Sequence, residues 1–213
     1  MNVKRFLLCM GCILMAAIAG CIKSLHPLFT EKEAVFLEEL VGQWLDDNGQ
    51  SWDFKRYSPN ESDVRYKLVY TDPDGKKGYF RVVLGELDSM LFMDLYPEEP
   101  KLDASDFYQM HLLGVHSFIK IEQIQPTLKM RMIDPDKLQQ MFKNDPNILK
   151  HEILEESDSE IVLTASTKEL QDFMIQYGND PNLFGDVGEF ERLLPPDANE
   201  PNSIDPNKIE TSN

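Results

Sequence analysis

Between residues 64 and 95 apolar side chains fall on every second position. Val64, Tyr66, Leu68 and Tyr70 alternate with Arg65, Lys67, Val69 and Thr71, and the phase continues through Phe80, Val82 and Leu84 and through Leu91, Met93 and Leu95. A period of two is that of a strand with one buried face. Asp72-Pro73-Asp74-Gly75 separates the first two runs. Pro presets φ and Gly supplies a positive φ, so this is a turn, and 87–89 is expected to be another. Connections this short make neighbouring strands pair antiparallel, as a meander. Residues 50–57, with Trp52 and Phe54, predict a strand ahead of them. Residues 97–106 are polar and contain proline, and predict a loop. A further apolar stretch, 112–124, has Gly114 as a bend or bulge. Pro126 then sits in the turn of a hairpin whose second arm, 127–133, places Leu128, Met130 and Met132 on one face.

Other segments carry a helical period. Thr30 and Glu33 match a capping box, and Ala34, Phe36, Leu37, Leu40 and Val41 trace a rough helical face, predicting a helix over 31–40. Asp134-Pro135 reads as cap and first helical residue, with Leu138, Met141 and Phe142 at i, i+3 and i+4. Ser166 and Glu169 form a second capping box ahead of Leu170, Phe173, Met174 and Tyr177, an amphipathic helix stopped by Gly178. Residues 152–154 and 160–165 predict two short strands, and 184–194 one more short helix. The sum is a mainly β (β+α) fold. It is an antiparallel barrel or strongly curved sheet of about eight strands with two or three peripheral helices. From Pro195 onward four prolines and no aromatic residue predict a disordered tail, so the folded domain is expected to span 31–194 and the tail 195–213.

The N-terminus changes the picture. Lys4 and Arg5 precede an apolar run of thirteen residues, Phe6 to Ile18. A membrane span needs about 20 residues, so this run is too short for one and suits the core of a signal peptide, 1–20. Ile18-Ala19-Gly20-Cys21 follows and resembles the lipobox of bacterial lipoproteins. The resemblance implies cleavage between Gly20 and Cys21, with the Cys21 thiol carrying a diacylglyceryl group and acyl chains such as palmitate. Residues 21–30 are then expected to tether the domain to a membrane. Ile22 stands where lipoproteins retained at the inner membrane of enteric bacteria often have Asp. By that resemblance the address is the cell envelope, with the outer membrane facing the periplasm favoured in a Gram-negative host.

Charge narrows the function classes. The 213 residues carry a net charge of −16, with 21 basic and 37 acidic groups. Without residues 1–20 there are 19 basic and 37 acidic groups, a net charge of −18. So acidic a chain without a basic block is not a nucleic-acid binder. Cys21 alone remains of three cysteines after cleavage, which excludes a disulfide scaffold and a cysteine-ligated zinc site. His111 and His116, five apart, would face opposite sides of a continuous strand, and His26 and His151 are isolated. No metal ligand set, catalytic motif or cofactor motif emerges.

Leu40-Val41-Gly42-Gln43-Trp44 resembles the G-x-W opening of the lipocalin and calycin families. That likeness implies a short helix leading into the first strand of an antiparallel barrel, with Gly42 and Trp44 closing one end. It also implies an interior that holds a small apolar ligand. Trp52, Tyr66, Tyr70, Phe80, Phe92, Met93, Met130 and Met132 would line that interior, or fill it. Thr71-Asp72-Pro73 lacks the aromatic of the family's T-D-Y motif, and no late basic residue can be matched to its arginine. The chain is also similar to a group of uncharacterised bacterial lipoproteins, through Cys21, the run Ser24-Leu25-His26-Pro27-Leu28-Phe29, the Leu40–Trp44 box and Leu163-Thr164-Ala165-Ser166-Thr167. The expected function is non-catalytic: binding a small apolar ligand or a partner protein at the membrane surface. A structural or assembly lipoprotein docking on an envelope complex is the alternative, and an enzyme the third.

Overall fold

The computed structural model describes residues 22–60, 62–98, 105–154 and 160–193. Gly20, Cys21 and the tail 195–213 lie outside the described residues. In chain order the first strands are β1 (Lys23–Ser24), β2 (Ala34–Val35), β3 (Gly42–Leu45), β4 (Ser51–Arg56), β5 (Tyr66–Thr71), β6 (Lys77–Leu87) and β7 (Met90–Pro97). After a short helix α1 (Asp106–Gln109) come β8 (Ser117–Gln123) and β9 (Thr127–Met132). Helix α2 (Pro135–Asn144), strands β10 (His151–Leu154) and β11 (Glu160–Leu163), helix α3 (Thr167–Tyr177) and β12 (Gly188–Leu193) complete the set.

Eight strands close into an antiparallel barrel in the order β3-β4-β5-β6-β7-β8-β9-β12, with β12 returning to β3. The alternating runs become β5, β6 and β7, paired with Leu68 opposite Phe80 and Val82 opposite Leu95. β6 is eleven residues long. It pairs with β5 over its first half and with β2, outside the barrel, at Leu84 and Gly85. Phe29 lies so close to Gly85 that a Cβ there would sit 2.5 Å from its ring. β1, β11 and β10 form a separate three-stranded sheet.

The barrel wall is apolar on both faces where the inserted elements lie against it. Phe54, Tyr66, Leu68, Leu84, Met93 and Leu128 fill the inside. Outside, Phe92 and Phe118 pack with Leu138 and Phe142 of α2 and Leu170, Phe173 and Met174 of α3. A strand buried on both faces reads as a continuous apolar run, which is why β7 is Met-Leu-Phe-Met-Asp-Leu.

Four elements differ from expectation. The 31–40 helix is replaced by β2 and a single 3₁₀ turn at Glu38–Leu40. The Glu33 carboxylate accepts from the Thr30 N–H and hydroxyl, while the Thr30 hydroxyl accepts from Lys32 N–H rather than Glu33 N–H, around a turn. The Tyr66 hydroxyl instead accepts from the Leu37 N–H and donates to the Leu37 carbonyl, taking both groups a helix would use. In place of the 184–194 helix stands the closing strand β12, Gly188–Leu193. Residues 112–116 precede β8 rather than belonging to it, so Gly114 bends no strand and rests against Tyr96. Residues 22–30 are not a free tether: Ile22, Leu28 and Phe29 are buried in the outer core.

Candidate functional site

The first candidate is the barrel interior. Tyr66, Met93 and Trp44 are fully buried, and Trp52 and Met130 nearly so. A void wide enough for water would leave accessible surface on its lining. The central side chains keep essentially none, so they fill the barrel. Tyr66 is held by its two bonds to Leu37, and burial pushes its hydroxyl up to about 12. Phe36 stacks on the same ring at 4.7 Å.

At one rim lie the ends of β5 and β7 and the start of β6, where Phe80 pairs with Pro97. Tyr70 and Phe80 are half-buried there. Trp52 packs edge-on against Tyr70 at 5.4 Å and Phe190 at 6.0 Å. Its Nε1 has no hydrogen-bond partner among the described residues. Met132, expected inside, is 44% exposed, because it is the last residue of β9 and runs past the packed interior. Phe92, also expected inside, points the other way and packs in the outer core. One register step on a strand reverses the face.

The opposite end is closed. Gly42 has φ +135°, and a Cβ on it would lie 2.8 Å from Arg192 Nη1. The Arg192 guanidinium lies 4.3 Å from the Trp44 ring centre. It donates to the carbonyls of Val41 at 2.8 Å and of Glu39. Trp44 donates its own Nε1–H to Leu40 O at 3.0 Å. The late basic residue that meets Gly42 and Trp44 at this end is Arg192. The missing signal was the strand beneath it, which the sequence pattern predicts as a helix.

A third feature lies outside the wall. Asp94 on β7 is 3% exposed. Its Oδ2 accepts from Leu28 N–H at 2.8 Å, and its Oδ1 faces His116 Nδ1 at 2.7 Å. Both oxygens are thus committed to holding the N-terminal segment and the entry to β8. His116 also exchanges backbone hydrogen bonds with Ser24, at 2.8 and 2.9 Å. The Ser24 hydroxyl donates to His26 O. His111 is exposed and bonded to Phe107 O, and His151 stacks on Phe142 at 3.6 Å. These histidines do not converge, and no group of three or more His, Cys, Asp or Glu among the described residues is placed to hold a metal.

A surface depression of about 280 Å³ lies near the β6–β7 turn, between Ser89, Met90, Lys120, Glu122, Gln123 and Asn179. Its lining is mixed: Leu91, Ile121 and Ile124 of the inner cluster also border it. No helix among the described residues is long and apolar enough to cross a membrane. No protein-family model, curated protein or solved structure matches the chain.

Proposed function

We propose that the protein is a non-catalytic lipoprotein of the cell envelope, of the structural or assembly kind. It would be a solid barrel held at the membrane through lipid on Cys21 and docked on an envelope protein complex. The observation that carries this reading is the filled interior. A barrel that stores a small apolar ligand needs open volume, and here Trp52, Tyr66, Met93 and Met130 occupy it. The Gly42–Trp44–Arg192 closure is similar to that of lipocalins, which supports a barrel scaffold and says nothing of cargo. Binding at the rim is a second reading, favoured by the unpartnered Trp52 Nε1 beside half-buried Tyr70 and Phe80.

Cross-linking of the full-length protein in its native membranes separates the two. The expected result is a reproducible protein adduct, together with a native mass free of small molecules. A retained small molecule without any protein adduct would return the function to ligand binding. Replacing Cys21 by Ser is expected to move the protein to the soluble fraction with its fold unchanged. Equal membrane flotation of Cys21→Ser and wild type would overturn the lipid anchor.

A further inference from the structure

Five apolar side chains stand in solvent on the connection from β7 to β8. Phe107, Tyr108, Met110, Leu112 and Leu113 are 50–74% exposed. They lie on α1 and the turn after it, where the Ser105 hydroxyl caps the helix. An exposed apolar cluster of this kind marks a contact surface.

The position of the N-terminus says which surface it meets. Ile22 lies in one dimple with Ser117, the first residue of β8, and Met132, the last of β9. Both belong to the rim from which the α1 connection springs. Ser24 is bonded to His116, three residues beyond Leu113. Ile22 is itself buried, so Cys21 begins about 3.8 Å of chain from a fixed point on the folded body. A lipid on Cys21 therefore has no tether to lift the barrel away from the bilayer. It brings the rim carrying α1 to the membrane.

We propose that Phe107, Tyr108, Met110, Leu112 and Leu113 insert into the same lipid surface that receives the Cys21 acyl chains, as a second contact that fixes the barrel's orientation. The proposal rests on the lipid-anchor reading above. The surface it fits is zwitterionic: the body is strongly acidic and Asp106 opens α1, so anionic headgroups would repel it. Insertion is apolar and is expected to be insensitive to salt. The β3–β4 hairpin, with Asp46 and Asp47, leaves the same rim on the far side of the barrel from β8 and α1.

The test uses full-length lipidated Phe107→Trp protein in phosphatidylcholine vesicles, with and without bromine on the acyl chains. Trp44 and Trp52 are buried, and the wild type supplies their background. The expected result is flotation, with a blue-shifted emission from the introduced tryptophan that falls at least twofold in brominated vesicles and is unchanged by salt. Flotation with quenching by aqueous iodide instead overturns the insertion and leaves the anchor standing. Protection from both quenchers means that a second copy covers the cluster, and also overturns it. Failure to float overturns anchor and insertion together.

Discussion

Asp94 is a buried carboxylate whose partners come from two distant parts of the chain. Replacing it by Ala leaves the Leu28 N–H and His116 Nδ1 without an acceptor. A stranded buried donor costs about 1–3 kcal/mol, so Asp94→Ala is expected to lose about 3 kcal/mol in urea unfolding, and Asp94→Asn less. The loss should come with faster proteolysis of residues 22–30. Glu169 makes a different prediction. The Lys150 ammonium 2.8 Å away, and then the Ser166 hydroxyl and N–H, hold its carboxyl down at about 2. That lies below its ordinary value of 4.5, so its contribution is full above pH 4.5 and is lost as pH falls from there through about 2. Glu169→Gln is expected to flatten the acid side of the curve of melting temperature against pH in that window. Because Glu169 is exposed, added salt should shrink the difference.

At the scale of elements, β12 is the piece on which closure depends, and Arg192 is its fastening. Arg192→Ala removes two bonds to backbone carbonyls and the contact with the Trp44 ring, at an expected cost of about 2 kcal/mol in thermal unfolding. Arg192→Lys keeps the charge without the planar fork and should recover only part of it. This strand also marks the limit of what the pattern of residues reveals. β5, β6 and β7 were legible because apolar side chains alternate through the middle of each, and α2 and α3 because their caps are local chemistry. β12 was not, since Gly-Glu-Phe-Glu-Arg-Leu buries only Phe190 and is held in place by partners far away in sequence. The capping box at Thr30 misled for a related reason: Tyr66, 29 residues beyond Leu37, takes the backbone groups of that residue that a helix would need. Gly42 and Trp44 were expected at a closure from a resemblance alone, and Arg192, which meets them here, became visible only once β12 was a strand.

The whole molecule is a barrel filled from within and half-wrapped from outside. If the filling is complete, the wild type should gain no melting temperature from a small aromatic such as benzene. Phe54→Ala should lose about 3–5 kcal/mol and open a void that benzene then partly restores. A rise in the wild type's melting temperature with benzene would show room that its own side chains leave. If the proposed anchor and insertion hold, the cluster on α1 and the buried start at Ile22 would give this solid body a definite attitude rather than a swinging one.

The seam between the first and last barrel strands also sets an order in time. Val41 and Arg192 are 151 residues apart, yet they meet at the closure. A chain delivered from its N-terminus, whether by synthesis or by passage through a membrane, presents β3 early and β12 late. Until residues 188–193 emerge, β3 and β9 each keep an unpaired edge and the ring stays open. The chain therefore remains threadable for most of its delivery, and it is during that interval that those edges need protection from other chains.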